Sequence, residues 1–354
     1  MRSLPIAGDD AGSLESALGL SIASHSGLAA PAIGALAAAA ESAGFSAVFV
    51  AEGHGDAVSL CHPVIAATRH VRVGTAIANA ALRPPVLAAK TAAQLDQASD
   101  GRFLLGLGVG NDVMNGRFGL PPFPALQMVE EYVGALRAAL AGNPEGFDGQ
   151  LFRTGMVPFD SPPVRAELPV YLAALGPRML ELSGRIADGV ILNLMSPAQA
   201  GLAASVVRAA ASAAGRDPAA VEVVCVVHVC LSDDPDAAAA AARAVVPRYV
   251  LHPAVARLFG TDLGAARQCA LAGDRAGAAA CVPRHVADAF VAHGDAAACA
   301  ARLAEYRAAG VDLPVVFPMP VGGDWGYEHV IAALSPAAAS AGWPAGRAER
   351  VPRS

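Results

Sequence analysis

Glycine ends one strongly apolar segment of this sequence at a point where a ligand can approach bare backbone. Gly106, Gly108 and Gly110 alternate with apolar residues at the end of the segment Phe103–Val109. The apolar residues predict a buried strand, and glycine lets another group lie directly against the main chain where that strand ends. We therefore expect a ligand to contact Gly108, Val109 and Gly110.

A second turn has the composition of a phosphate-binding site. The segment Val170–Ala173 predicts a short strand, and a helix that extends to about Arg185 follows it. Between them lie Gly176, Pro177 and Arg178. Proline suits the first turn of a helix, and a glycine before it leaves the free backbone N–H groups open to an anion. With an arginine beside those groups, this turn is predicted to bind phosphate.

Strand-like and helix-like segments alternate almost throughout the chain, which is typical of βα units around a parallel sheet. Eight such units in one chain fit a (β/α)8 barrel better than a doubly wound open sheet. We therefore predict a single-domain (β/α)8 TIM barrel. The predicted strands are Leu18–Ala23, Ala47–Ala51, Val71–Ala78, Phe103–Val109, Val170–Ala173, Val190–Asn193, Val221–Leu231 and Leu313–Pro318.

Two insertions interrupt this alternation, one after the fourth predicted strand and one after the seventh. The first contains a helix near Ala125–Ala141 and a hairpin within Phe147–Asp160. The second begins with a helix near Asp236–Val250. Insertions at the carboxyl ends of barrel strands build and cover active sites, so we expect these two to select the substrate. The barrel is expected to occupy residues 15–335 of the 354, with poorly ordered tails on either side.

Composition excludes several classes of protein. The hydrophobic fraction is 54% with only 5% aromatic residues, because alanine supplies much of it. The sequence contains no run of about 20 uninterrupted apolar residues, so it predicts no membrane-spanning helix. The net charge is −6 without a basic run, which argues against binding to nucleic acid.

Location and metal binding are also constrained by the sequence. The N-terminus lacks an apolar stretch followed by a small-residue cleavage site, so we predict a cytoplasmic protein. The six cysteines have no CxxC spacing, which argues against a disulfide framework or a zinc site, and we expect no metal.

Four segments, in this order, resemble the bacterial luciferase-like superfamily, and especially its oxidoreductases that depend on the deazaflavin coenzyme F420. The resemblance covers roughly residues 15–335. It is specific for the superfamily and much less so for a reaction. The segments are VFVAEGHGDA (Val48–Ala57), VRVGTAIANAALRPP (Val71–Pro85), QLDQASDGRFLLGLGVGN (Gln94–Asn111) and PVYLAALGPRMLELSGRIADGVILN (Pro169–Asn193).

The resemblance implies a position for the cofactor. Members of the superfamily lay a tricyclic ring at the strand ends, against a bulge that commonly contains a non-proline cis peptide; here that bond would be Ala76–Ile77. The phosphate-bearing tail would extend from the glycine turn of the fourth strand toward the turn after the fifth. The implied cofactor-binding residues are Ala76, Ile77, Asn79, Gly108, Val109, Gly110, Ala174, Gly176, Arg178, Asn193, Met195 and Ser196.

The catalytic residues depart from the pattern of the superfamily. Many members have two polar residues of catalytic type after the second strand, either an acidic residue and histidine or Glu-His-His, whereas this chain has Glu52, Gly53 and His54. Gly53 thus stands at the usual histidine position, and His54 is one place along. Since an imidazole titrates near neutral pH, His54 either transfers a proton or caps the following helix. Glu52 is either a catalytic carboxylate or a buried partner of Arg83.

The other polar candidates also have two interpretations. Asn79 and Asn193 either bind the pyrimidine edge of the ring or satisfy backbone groups at the strand ends. Arg178 is either a phosphate ligand or a solvated arginine at a helix start. His228 and His252 lie in apolar surroundings and are expected to be structural.

Three functions follow from the resemblance. The first is an F420-dependent oxidoreductase that transfers a hydride between the deazaflavin and an imine, activated alkene, ketone or alcohol, with the protein orienting the cofactor and supplying a proton. The second is a monooxygenase that uses reduced FMN and O₂ and shields the ring from water. The third is a flavin-binding barrel without turnover. A homodimer is implied by resemblance only.

Overall fold

The computed structural model describes residues 17–110, 112–159, 164–165 and 167–337. The two predicted tails lie almost entirely outside the described residues. Asn111 and the end of the predicted hairpin at Asp160 also lie outside them.

Eight parallel strands close into a barrel, as the sequence predicts. The order around the barrel is β1, β2, β3, β5, β8, β9, β10 and β12, and β12 pairs with β1. Two short strands, β4 and β11, extend this sheet, and β6 and β7 form an antiparallel hairpin. The strands are β1 (Gly19–Ala23), β2 (Ala47–Ala51), β3 (Arg72–Thr75), β4 (Ala78–Asn79), β5 (Phe103–Gly108), β6 (Phe147–Asp148), β7 (Arg153–Thr154), β8 (Val170–Ala173), β9 (Gly189–Asn193), β10 (Glu222–Leu231), β11 (Ala292–Gly294) and β12 (Leu313–Pro318).

Helices surround the barrel, and several short ones fill the second insertion. The helix after β9 and the short helices of the second insertion were not singled out from the sequence, and neither was β11. The α-helices are α1 (Ala30–Ser42), α2 (Ala57–Ala67), α3 (Pro85–Ala98), α4 (Asp112–Arg117), α5 (Ala125–Leu140), α6 (Pro177–Ile186), α7 (Pro197–Ala213), α8 (Pro235–Val245), α9 (Pro253–Leu258), α10 (Gly264–Leu271), α11 (Arg275–Ala280), α12 (Arg284–Phe290), α13 (Ala296–Ala308) and α14 (Tyr327–Ala333).

The third predicted strand is the one that the structure divides. The sequence predicts one strand over Val71–Ala78, but β3 ends at Thr75 and β4 begins at Ala78. Between them lies a cis peptide bond from Ala76 to Ile77. Pairing of β3 with β5 ends at Gly74, and pairing with β5 resumes at Ala78 in β4. The expected bulge and its cis bond are both present.

The barrel is filled by side chains and is not a channel. Phe49, Leu104, Ile191 and Val315 belong to one buried cluster inside it. A second and larger cluster lies between the strands and the helices. Strands of a parallel barrel are apolar on both faces because both faces are buried, which explains their continuous Val, Leu and Ile runs.

An ionic group closes the end of the barrel where the strands begin. The guanidinium of Arg72 donates two hydrogen bonds to the carboxylate of Glu222, at 2.7 and 2.9 Å, and the hydroxyl of Tyr171 donates to the same carboxylate. Burial alone would raise the pKa of Glu222, but the hydrogen bonds and charge of Arg72 lower it. The residues predicted for the site lie at the opposite end of the barrel, where the strands end.

No helix within the described residues is long and apolar enough to cross a membrane.

Candidate functional site

Glu52 follows β2 and is held by Arg83. The guanidinium of Arg83 donates hydrogen bonds of 2.8 and 3.1 Å to the two carboxylate oxygens of Glu52, and the backbone N–H of Asn79 donates to one of them. The side chains of Glu52 and Arg83 are only 12% and 14% exposed. Of the two interpretations of Glu52, the structure thus shows the buried partner of Arg83, and a catalytic role stays a prediction.

The cis bulge packs on the glycine turn that follows β5. A Cβ added to Gly108 would lie 2.9 Å from two carbons of the Ile77 side chain. Gly106 lies still closer to the bulge, because a Cβ there would overlap the carbonyl oxygen of Thr75. These two glycines are therefore required by the approach of the chain's own β3 segment. Contact of Gly108 and Val109 with a cofactor stays a prediction. The glycine at position 108 is not evidence for that contact.

Asn79 is used by the protein's own backbone and side chains. Its Oδ1 accepts a hydrogen bond from the N–H of Ala81 at 3.0 Å, and its Nδ2 donates to Oδ1 of Asn115 at 2.9 Å. It also occupies the space beside Gly110, whose φ is +66° and whose added Cβ would lie 2.6 Å from Nδ2 of Asn79. The structure thus shows the strand-end interpretation of this asparagine.

Asn193, at the end of β9, contacts the fully buried His228 of β10. Nε2 of His228 lies 3.0 Å from Oδ1 of Asn193 and 3.3 Å from the hydroxyl of Tyr249. Nδ1 of His228 lies 3.2 Å from the sulfur of Met319. Burial, with a smaller contribution from the charge of Arg248, lowers the pKa of His228 to about 3. A neutral His228 therefore holds the amide of Asn193 in place, which is a structural role, as the sequence predicts.

Met195 and Ser196 begin the segment that leads into α7. The hydroxyl of Tyr306 donates a 2.6 Å hydrogen bond to the carbonyl of Met195, whose side chain is buried. Ser196 caps α7, because its hydroxyl accepts from the N–H of Gln199, whose side chain accepts from the N–H of Ser196. Both residues thus have structural partners, and their contact with a cofactor stays a prediction.

The turn before α6 is open on one side. A Cβ added to Gly176 would have no described atom within 4 Å, whereas Ala174 is buried in the barrel wall. Arg178 is exposed and lines a groove of about 770 Å³ between α5, α6 and α7. Glu130 and Glu181 line the same groove. This groove lies on the outer face of the helices and not at the strand ends, so the phosphate role of Arg178 stays a prediction.

His25, which follows β1, is a further residue at this end of the barrel that no sequence motif singles out. A Cβ on Gly53 would lie 2.5 Å from Nδ1 of His25, so this imidazole occupies the space that a side chain at position 53 would need. The rings of His25 and His54 meet edge to face, with centroids 5.9 Å apart. Both histidines are exposed. His54 does not cap α2, because Asp56 is the N-cap residue of that helix.

The position of His25 in the chain marks it as a candidate site residue. It lies two residues beyond the end of β1, which is where functional residues of barrels occur. Partial burial, the positive charge of Arg248 and the neighbouring His54 lower the pKa of His25 below its ordinary value near 6.5.

Partly exposed apolar side chains lie over the barrel interior at this end. Ala76, Ile77, Leu175 and Trp325 pack against the interior cluster without being fully buried. The indole of Trp325 contacts the imidazole of His25, with ring centroids 5.5 Å apart. A flat ring system needs an apolar surface with a few polar groups at its rim, and these residues fit that need.

Comparison with known proteins agrees with this geometry. Residues 17–313 match a family described as luciferase-like monooxygenase. The 5,10-methylenetetrahydromethanopterin reductase of Methanolobus tindarius is 30% identical over 301 residues, which are 80% of this chain and 88% of that protein. A Mycobacterium tuberculosis protein, provisionally named a coenzyme F420-dependent oxidoreductase, is 31% identical over 308 residues, 79% of this chain and 89% of that protein.

A solved structure extends the likeness to the fold. The coenzyme F420-dependent tetrahydromethanopterin reductase from Methanopyrus kandleri superposes with a TM-score of 0.81, covering 90% of this chain and 97% of that one. Its sequence identity of 24% makes this evidence for the fold alone.

Proposed function

The chain belongs to the luciferase-like monooxygenase family, and we propose that it is an oxidoreductase that uses coenzyme F420 to transfer a hydride to or from a small organic substrate. Its relatives are enzymes, and it is an enzyme of the same superfamily. The proposal depends on one observation above all. The barrel mouth has an apolar surface rimmed by imidazoles, in a chain that matches a named reductase over four fifths of its length.

The chain's own residues would hold the cofactor in three ways. Ala76 and Ile77 would support the face of the ring from the bulge, and Trp325 would bound it on the side of β12. Asn193 would meet the polar edge of the ring in an orientation fixed by His228.

The phosphate-bearing tail would leave the barrel mouth over the turn before α6. At Gly176 the backbone is open, and the N-terminus of α6 is favourable for an anion. Ser196, at the N-terminus of α7, would flank the tail from the neighbouring unit.

The bound deazaflavin would supply the hydride chemistry, and the protein would supply orientation and a proton. The proposed substrate is an imine, an activated alkene, or a ketone or alcohol pair. Reduction of each class adds a hydride to a carbon and a proton to the neighbouring atom, and oxidation removes both. Each reaction therefore needs a proton-exchanging residue at the barrel mouth.

The competing function is a monooxygenase that uses reduced FMN and O₂, which the name of the matching family favours. That chemistry needs a ring covered from water. In the described residues, His25 and His54 at the barrel mouth are exposed. We therefore rank hydride transfer first.

Cofactor titration tests the proposal. Purified protein is titrated with F420 and, separately, with FMN, and binding is followed by fluorescence. F420 reduced with borohydride is then offered with a panel of imines, ketones and activated alkenes, and its reoxidation is recorded under argon. Oxidised F420 is offered with secondary alcohols in parallel.

The outcomes are distinct. Saturable F420 binding with weak FMN binding, and substrate-dependent turnover without O₂, supports the proposal. Tight FMN binding with O₂-dependent turnover supports the monooxygenase. Binding of neither cofactor contradicts both functions and leaves the barrel without turnover.

A further inference from the structure

Position 53 has no side chain, and an imidazole from another strand fills its place. Gly53 follows β2, whereas His25 follows β1, 28 positions earlier in the sequence. A Cβ at position 53 would lie 2.5 Å from Nδ1 and 3.2 Å from Cγ of His25. Real Cβ atoms do not approach other atoms so closely, so any larger residue at 53 would displace this ring. Glycine at position 53 is therefore what leaves room for the imidazole of His25.

The ring of His25 is held by contacts and yet free to exchange a proton. Trp325 contacts one side of it and His54 another, at centroid distances of 5.5 and 5.9 Å. Neither ring nitrogen makes a hydrogen bond to the part of the chain that the structure describes. An imidazole without a hydrogen bond to the described residues, at the mouth of a barrel, is available to a bound molecule.

The other titratable side chains near the barrel mouth are less suited to proton exchange. The oxygens of Glu52 accept hydrogen bonds from Arg83 and Asn79. His228 is fully buried behind Asn193. His54 makes no hydrogen bond to the described residues either, but it is the ring of His25 that contacts Trp325, one of the apolar side chains at the barrel mouth.

We propose that His25 is the residue that exchanges a proton with the substrate, and that glycine at position 53 is what admits its imidazole to the site. This inference rests on the proposed function, since it assigns a role within the same site. In the reducing direction, protonated His25 would give its proton to the oxygen or nitrogen bound to the substrate carbon that takes up the hydride, and bound reduced F420 would supply that hydride. In the oxidising direction, neutral His25 would take the hydroxyl proton of an alcohol, and bound oxidised F420 would accept the hydride from its carbon.

Burial above all, and then the charges that face His25, lower its pKa and favour the oxidising direction. Arg248, on the segment after α8, and His54, after β2, are the charged and titratable groups whose fields act on it. Together with partial burial they favour the neutral imidazole, which is a proton acceptor.

Three variants test the inference. His25→Gln removes the proton-exchanging group but keeps a polar side chain of similar length. Gly53→Ala adds only a methyl group, which the geometry places against Nδ1 of His25. His62→Gln is the matched control, because His62 is an exposed histidine on α2 whose Nδ1 lies 3.3 Å from the carbonyl of Ser59.

Turnover is measured with the panel compound that the wild-type protein converts fastest. We expect His25→Gln to lower kcat at least ~100-fold, with F420 affinity within twofold of wild type, and His62→Gln to behave as wild type. Gly53→Ala should lower kcat by displacing the ring, and it should add nothing in the His25→Gln background. Retention of a tenth of kcat in His25→Gln, or equal losses from Gly53→Ala in both backgrounds, would overturn the inference.

A measurement without turnover separates this inference from the proposed function. In protein labelled with ¹⁵N-histidine, the imidazole resonances of His25, identified by their loss in His25→Gln, should shift on addition of F420, and those of His62 should not. If F420 binds and the His25 resonances stay in place, His25 does not border the cofactor and the inference is wrong. If the wild-type chain binds no F420, the proposed function is wrong, and so is the role proposed for His25.

Discussion

The carboxylate of Glu52 and the guanidinium of Arg83 form a two-bond ion pair at the edge of the candidate site. The pair joins the end of β2 to the segment that follows the cis bulge, and both side chains are largely buried. Arg83 also pairs with Asp56, the N-cap residue of α2. The pair therefore fixes the bulge relative to β2, and with it the surface proposed to support the ring.

Neutralising Glu52 should destabilise the barrel. In Glu52→Gln the guanidinium of Arg83 keeps Asp56 and the carbonyl of Asn79 but loses the charge of Glu52, and we expect a loss of about 2 kcal/mol in the free energy of unfolding, below that of a fully buried broken pair. Urea unfolding measures it. Glu305→Gln, which breaks an exposed ion pair with Arg302, should cost less than ~1 kcal/mol. Wild-type stability combined with abolished turnover in Glu52→Gln would instead identify Glu52 as a catalytic acid.

Glycines of the β5 segment should differ in their tolerance of a methyl group. Gly108→Ala should cost about 1–3 kcal/mol, because the side chain of Ile77 must move. Gly106→Ala should cost more, because its Cβ meets the carbonyl oxygen of Thr75, which cannot move without the strand. Gly176→Ala is the control and should stay within about 0.5 kcal/mol of wild type, since the space around it is open. Thermal unfolding ranks all three, and equal losses at Gly106 and Gly176 would contradict the packing described.

Local pattern was enough for most barrel strands, but not for the division of the third strand, for β11 or for the site. The bounds of β2, β8 and β12 match their predictions residue for residue, because apolar runs between turn residues are a local signal. The place of His25 beside Gly53 depends on how two strands meet in the barrel, and no local pattern records it. For the same reason the contact of Glu52 with Arg83, 31 positions later in the chain, is visible only in the folded structure.

Acid should weaken the fold through His228. Its pKa is about 3 in the folded protein and near 6.5 in an unfolded chain, so below pH 6.5 the unfolded chain binds a proton that the folded protein does not. Stability therefore falls as the pH drops from 6.5 toward 3, by up to about 1.4 kcal/mol per pH unit from this residue. His228→Gln should make the dependence of unfolding free energy on pH less steep over that range. An unchanged slope would show that His228 is protonated in the folded protein.

Ser196 allows capping to be separated from contact with a phosphate. Ser196→Ala should lower stability by about 1 kcal/mol, because α7 loses its N-cap. Ser196→Asp should keep the cap, since aspartate is also a good N-cap residue, but its charge would repel a phosphate beside it. We therefore expect Ser196→Asp to unfold like wild type and to bind F420 at least tenfold more weakly. Equal F420 affinity in wild type and Ser196→Asp would place the cofactor tail elsewhere.

The positive charge of Arg248 should contribute, after burial, to the lowered pKa of His25. This charge disfavours the imidazolium of His25, so Arg248→Gln should raise the pKa of His25 toward its ordinary value. NMR titration of ¹⁵N-labelled histidine measures this pKa directly in the protein without cofactor. Because the interaction is electrostatic and partly exposed, salt should reduce the difference between wild type and Arg248→Gln. Arg257→Gln, which removes a different arginine of the same insertion, is the control and should leave the pKa of His25 in place. If Arg248→Gln leaves the pKa of His25 unchanged at low salt, burial and His54 alone lower it, and the charge of Arg248 does not reach the site.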